Sequence, residues 1–128
     1  MIKNKKILIV DDAVFMRSML KRVINSAGAY EVLEAPNGEA ALSIYREVSP
    51  DLVFLDISMP GISGIEVLRQ MIGINEHALV IMCSAIGQES MIVEALDIGA
   101  ADFIVKPFKP EQIAAALHKV FPGPGEEA

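Results

Sequence analysis

Asp11-Asp12, Asp56, Ser84 and Lys106 each stand at or just after the end of a short apolar run, and together they are a set that could do chemistry. Three carboxylates gathered at one place repel one another, which is tolerable when a cation neutralises them. Mg2+ suits such a set, because it takes oxygen ligands in an octahedron and keeps several waters. One or two carboxylates, a backbone carbonyl and a phosphate oxygen complete its shell. A carboxylate is also a nucleophile toward phosphorus, forming an acyl phosphate when fixed cations and donors meet the charge on the transferred oxygens. Asp56 is the candidate acceptor, Lys106 the point charge and Ser84 the hydroxyl donor.

Taken singly, none of these residues demands that reading. An Asp or Ser after a strand commonly caps the next helix, and a lone Lys is usually a surface charge. Their convergence carries the case, and convergence depends on the elements that hold them.

Lys6–Val10, Asp51–Leu55 and Ala78–Cys83 are apolar runs rich in branched residues, the pattern of parallel strands covered on both faces. Tyr30–Ala35 and Phe103–Lys106 are shorter candidates, and each intervening segment is long enough for a crossover helix. The first helix is expected over about Ala13–Ala27, with Gly28 as its stop. A second runs from Asn37-Gly-Glu to about Val48, and Ser63 caps a third that reaches about Ile72. The fourth spans about Gln88–Ile98, and Pro110 opens a fifth that ends near Val120. The fourth carries Met91, Ile92, Val93, Ala95, Leu96 and Ile98, more apolar residues than one sheet-facing stripe uses, which leaves two readings: a fully covered helix or a face for a partner.

Alternating strands and helices with right-handed crossovers give an α/β doubly wound parallel sheet, for which 2-1-3-4-5 is the shortest five-strand order. Ligand chemistry then falls at the C-terminal ends of the strands.

A chain of 128 residues, 52% hydrophobic and 22% charged, is sized for one packed core. The expected division is one domain over 1–121 and a disordered tail over 122–128, where Gly, Pro and Glu cannot bury themselves. No apolar run approaches the ~18 residues of a membrane span, and no signal-peptide core follows Met1, so a cytoplasmic, monomeric protein with no membrane partner is expected. Eleven Lys and Arg against seventeen Asp and Glu leave a net charge of -6, which opposes nucleic-acid binding. Cys83, the single cysteine, sits in an apolar run and is expected to be an inert buried thiol.

From Lys5 to Phe121 the sequence resembles the response-regulator receiver family. The motifs that carry the resemblance are Ile-Val-Asp-Asp at 9–12, Leu-Asp-Ile-Ser-Met-Pro-Gly at 55–61 with Gly64, Ser84-Ala85, and Phe-Ile-Val-Lys-Pro-Phe at 103–108. The resemblance implies a flavodoxin-like (CheY-like) three-layer sandwich. Flavodoxin and CheY are the standing examples of the 2-1-3-4-5 order, so that order is not an independent derivation. It further implies that Asp56 accepts phosphoryl from a histidine kinase, that Asp12 binds Mg2+ directly and Asp11 mainly through water, and that Ser58 lends its backbone carbonyl. Ser84 and Lys106 would bind phosphoryl oxygens, and Lys106-Pro107 would be cis. Phe103 would be the switch aromatic. Phe103, Val105 and Lys119 would mark the partner surface, and the apolar surplus of the fourth helix adds Ile92 to it.

Asp-Asp-Ala-Val-Phe-Met-Arg from Asp11 and Cys-Ser-Ala-Ile-Gly-Gln from Cys83 resemble the chemotaxis (CheY-type) regulators within the family. Their implied partners are a chemotaxis-type histidine kinase, a flagellar motor switch protein or adaptor, and a phosphatase. Such a protein is not an enzyme in the usual sense, although it assists its own phosphorylation and dephosphorylation. Alternatives stay open at this point. A phosphorelay intermediate would pass phosphoryl on to a histidine phosphotransfer protein. A Mg-dependent aspartyl-phosphate phosphatase would need an acid at position 58, which is Ser. A flavin module would suffer repulsion between its phosphate and Asp11-Asp12.

Overall fold

The computed structural model describes residues 4–122, so from residue 123 onward the expected tail lies outside the described residues. Strands and helices alternate: β1 Lys6–Val10, α1 Val14–Ala27, β2 Glu31–Ala35, α2 Gly38–Val48, β3 Leu52–Asp56, α3 Gly64–Ile74, β4 Val80–Ser84, α4 Glu89–Ile98, β5 Asp102–Val105 and α5 Pro110–Val120. The five strands are parallel in the order β2-β1-β3-β4-β5.

Strand side chains alternate between two cores because the pleat has a period of two. Leu8, Val10, Val53, Leu55, Val80 and Met82 face α2, α3 and α4, where they meet Leu42, Tyr45, Leu68, Met71 and Ala95. Ile7, Ile9, Leu52, Phe54, Ile81 and Cys83 face the opposite way onto Leu20 and Ile24 of α1 and Ile113 and Leu117 of α5. Burial on both faces is why β3 and β4 read as unbroken apolar runs.

The boundaries depart from the sequence reading in ways that local bonds explain. Asp51 is excluded from β3 because its carboxylate accepts the Lys6 N–H at 2.8 Å and its own N–H goes to Lys6 O. β4 begins at Val80 rather than Ala78 and ends on Ser84. Asp11 Oδ1 accepts the Ala13 N–H at 2.9 Å, which delays α1 to Val14. Asn37 and Ser63 cap α2 and α3 as their residue types predict. α3 continues through Gly73 to Ile74, since glycine lowers helix stability without forbidding the helix. Gly28 does end α1, though in extended rather than left-handed backbone.

Candidate functional site

All five residues singled out for chemistry arrive at one end of the sheet. Val10 pairs with Leu55, Asp56 with Cys83, and Ser84 with Val105, so the strands β1, β3, β4 and β5 finish level with one another. Backbone bonds hold the exits in place: Asp11 N–H donates to Ala35 O at 3.2 Å and Lys106 N–H to Ser84 O at 2.7 Å. The Lys106-Pro107 peptide is cis.

Gly64 is dictated by this end of the sheet. α3 starts so close to the β3 exit that a Cβ at Gly64 would lie 2.2 Å from Asp56 O. Only glycine permits that approach.

Asp11, Asp12 and Asp56 each present an oxygen, all within 4.8 Å of one another. Asp11 and Asp56 are buried and Asp12 is exposed. Lys106 Nζ reaches into the group, 2.8 Å from Asp11 Oδ2 and 3.3 Å from Asp56 Oδ2. Burial pushes the Asp56 carboxyl above the ordinary carboxylate range; Lys106 pulls it down, and Asp11 pushes it up again. Burial lowers the Lys106 ammonium, but its hydrogen bond to Asp11 and the charge of Asp56 outweigh that, and the pKa ends above its usual value. Lys106 is therefore charged at neutral pH and serves as the resting counterion of two carboxylates.

A donor set of three convergent carboxylates with one lysine fits a hard divalent cation plus an anionic oxygen ligand. The Ser84 hydroxyl supports the same reading. Ser84 is fully buried, and its Oγ has no hydrogen-bond partner among the described residues. An unsatisfied buried hydroxyl costs stability, and an anionic oxygen ligand brought to these strand ends would give it a partner. Ser58, by contrast, is exposed, and its N–H donates to Asp56 Oδ1 at 3.3 Å. Cys83 is buried, and desolvation pushes its thiol well above the normal range, so it is no nucleophile.

Two residues that the sequence reading quoted within motifs but gave no role also belong here. Arg17 donates through Nη1 to Asp11 O and through Nε to Glu34 Oε1 at 3.1 Å, steadying the β1 exit from α1. Gln88 donates to Ser58 Oγ and accepts from Ala85 N–H. Both end motifs that carry the resemblance, but their bonds depend on Glu34 and Ser58, which lie far off in the sequence.

The surface expected to meet a partner is a groove of about 370 Å³ between α4 and β5, lined by Ile86, Val93, Leu96, Phe103 and Val105 among others. Ile92 lines this groove too, but mostly from within. It is only 8% exposed and packs into the core between sheet and α4, contributing just an edge to the groove. The apolar surplus is carried instead by Met91, Val93 and Leu96, whose positions on the helix turn them to solvent. Phe103 is partly exposed beside them. Lys119 is exposed and lies 3.5 Å from Asp102 Oδ2, which places it on the α5 side of β5.

Comparison with known proteins matches the response regulator receiver domain family over residues 7–118. The chain is 51% identical over 118 residues to the chemotaxis protein CheY of Thermotoga maritima, covering 91% of this chain and 98% of that protein. It is 43% identical over 119 residues to sporulation initiation phosphotransferase F of Bacillus subtilis, covering 93% and 95%. Among solved structures it is similar to the chemotaxis response regulator CheY4 of Vibrio cholerae, with a TM-score of 0.82 at 29% identity over 92% of this chain and 99% of that one. With the convergent acidic site at the strand ends and the 2-1-3-4-5 sheet, the match leaves one assignment: the chain belongs to the response regulator receiver domain family.

Proposed function

We propose that the chain is a response regulator of a two-component pathway that accepts a phosphoryl group on Asp56 and signals through a phosphorylation-dependent surface, in chemotaxis control of the flagellar motor. The observation that carries this is the meeting of Asp56, Lys106 and the Ser84 hydroxyl, unpartnered among the described residues, at the strand ends with Asp11 and Asp12.

In the reaction, one Asp56 carboxylate oxygen attacks phosphorus and a new O–P bond forms. The bond from phosphorus to its donor, a kinase phosphohistidine or a small acyl phosphate, breaks as that donor leaves. Asp11, Asp12 and Asp56, with the Ser58 backbone carbonyl, would hold Mg2+, which when bound neutralises charge on the transferred oxygens. Lys106 holds its positive charge against a phosphoryl oxygen, and Ser84 Oγ donates to another. Drawing Ser84 toward the phosphoryl vacates space into which Phe103 turns, shifting the α4–β5–α5 surface toward its binding form.

The chemotaxis reading is favoured over a relay intermediate by the greater identity to the chemotaxis protein, 51% against 43%. The output partner is then a motor switch protein or its adaptor, the donor a chemotaxis-type histidine kinase, and a separate phosphatase ends the signal. A phosphatase activity of this chain is disfavoured because Ser58 stands where the second acid belongs. Incubation with Mg2+ and acetyl phosphate, read by intact mass, tests the chemistry. Capture of purified motor switch protein with and without beryllofluoride tests the output, and equal capture in both conditions overturns it.

A further inference from the structure

The carboxamide of Gln88 bridges the two loops that flank Asp56. Its Oε1 accepts the Ala85 backbone N–H at 2.6 Å and its Nε2 donates to Ser58 Oγ at 2.5 Å. Chemistry fixes this orientation: a backbone N–H only donates, so the amide oxygen must face Ala85 and the NH2 is left for Ser58. On one side, Ser58 follows Asp56 by two residues and gives its N–H to Asp56 Oδ1 at 3.3 Å. On the other, Ala85 follows Ser84, whose buried Oγ lacks a partner among the described residues. Gly87, at φ +97°, turns the chain so that Gln88 can reach back over the loop.

The Ala85 N–H that Gln88 holds belongs to the peptide directly after Ser84, so drawing Ser84 toward a phosphoryl oxygen on Asp56 pulls on this bond. We propose that Gln88 is a positioning residue that latches the β4–α4 loop to the β3–α3 loop in the resting protein, so that occupation of the site by a phosphoryl group breaks the latch. Gln88 thereby sets the affinity of the site for phosphoryl and the threshold of the switch. This rests on the phosphorylation of Asp56 proposed above. A net hydrogen bond corresponds to a factor of about 2 to 12, and a latch that must open weakens binding by that order.

The test is titration of beryllofluoride in saturating Mg2+, followed by backbone amide NMR shifts, on the parent, Gln88→Leu, Ser58→Ala and the double variant. Gln88→Leu keeps bulk but makes neither bond, and should tighten binding about 2- to 12-fold. Ser58→Ala should tighten it less, and the double variant no further than Gln88→Leu, because both changes remove the same contact. A residue that merely supports the loop would lower the melting temperature and leave the two substitutions additive in binding. Unchanged or weaker binding by Gln88→Leu, or additivity in the cycle, overturns the latch while a binding parent upholds the phosphorylation reading. A parent that binds no beryllofluoride overturns both.

Discussion

Lys106 Nζ donates to Asp11 Oδ2 at 2.8 Å, closing a contact across 95 residues of chain. The lysine assigned to the phosphoryl group is thus already engaged in the resting protein, as counterion to a residue assigned to the metal. Lysine and metal neutralise the same charge, so each changes the effect of the other.

Lys106→Met removes the cation between two buried carboxylates and should destabilise the metal-free fold by about 3 kcal/mol, toward the low end for breaking a buried pair. Mg2+ replaces the lost charge, so the melting temperature of the variant should rise more on adding Mg2+ than that of the parent. An equal rise in both, measured by calorimetry with and without chelator, would refute the shared-counterion account.

Asp56→Asn should take up no phosphoryl from acetyl phosphate, and intact mass detects this directly. The same variant has a pH signature. Because the folded carboxyl titrates above its ordinary 3.8, the folded state binds the proton more readily than the unfolded one. Ionised Asp56 then subtracts stability as pH climbs from 3.8 through the folded pKa. In chelator, Asp56→Asn should therefore melt higher than the parent at neutral pH, and the gap should vanish below pH 3.8. A constant gap across that range would contradict the direction of the shift.

Asp12 is exposed and has no ion pair among the described residues, whereas Asp11 is buried against Lys106. Asp12→Ala should weaken Mg2+ on the order of tenfold by removing a charged oxygen ligand, while leaving the metal-free fold as stable as the parent or more so. Isothermal titration together with thermal melting separates these two effects, and undiminished Mg2+ affinity would remove Asp12 from the ligand set.

Activation should move resonances of Phe103, Val93 and Leu96 as well as those at Asp56, since the groove of α4 and β5 is the proposed readout. Partner affinity should rise by about 5- to 150-fold, the usual span of coupling between sites. NMR shift changes confined to α1 and α2 on adding beryllofluoride would exclude this surface.

Unaided dephosphorylation should be slow, because the side chains beside the path of attacking water are Ser58, which is short, and Ile86, which has no polar atom and is 81% exposed. Ser58→Asn with Ile86→Glu should speed radiolabel decay at equal Mg2+. The exposure of Ile86 means that the exchange creates no core cavity, so an unchanged or slower decay counts against the water-access argument itself.

Much of this protein is readable from its residues because parallel strands buried on both faces cannot hide. β1, β3 and β4 announce themselves as apolar runs, and the polar residues that interrupt them, Asp11, Asp56 and Ser84, must then lie at strand ends where polar groups are tolerable. Topology does the rest, since right-handed crossovers bring those ends to one edge. The tertiary structure alone decided which face of α4 is inside. Met91, Ile92, Val93 and Leu96 surround that helix, so its periodicity has no clear phase, and only packing against the sheet turned Ile92 in and Val93 out. Packing also decided the side-chain bonds at the site. Lys106 to Asp11 and Gln88 to Ser58 join residues far apart in sequence, and such contacts follow from where the backbone places two side chains rather than from any local preference of either residue.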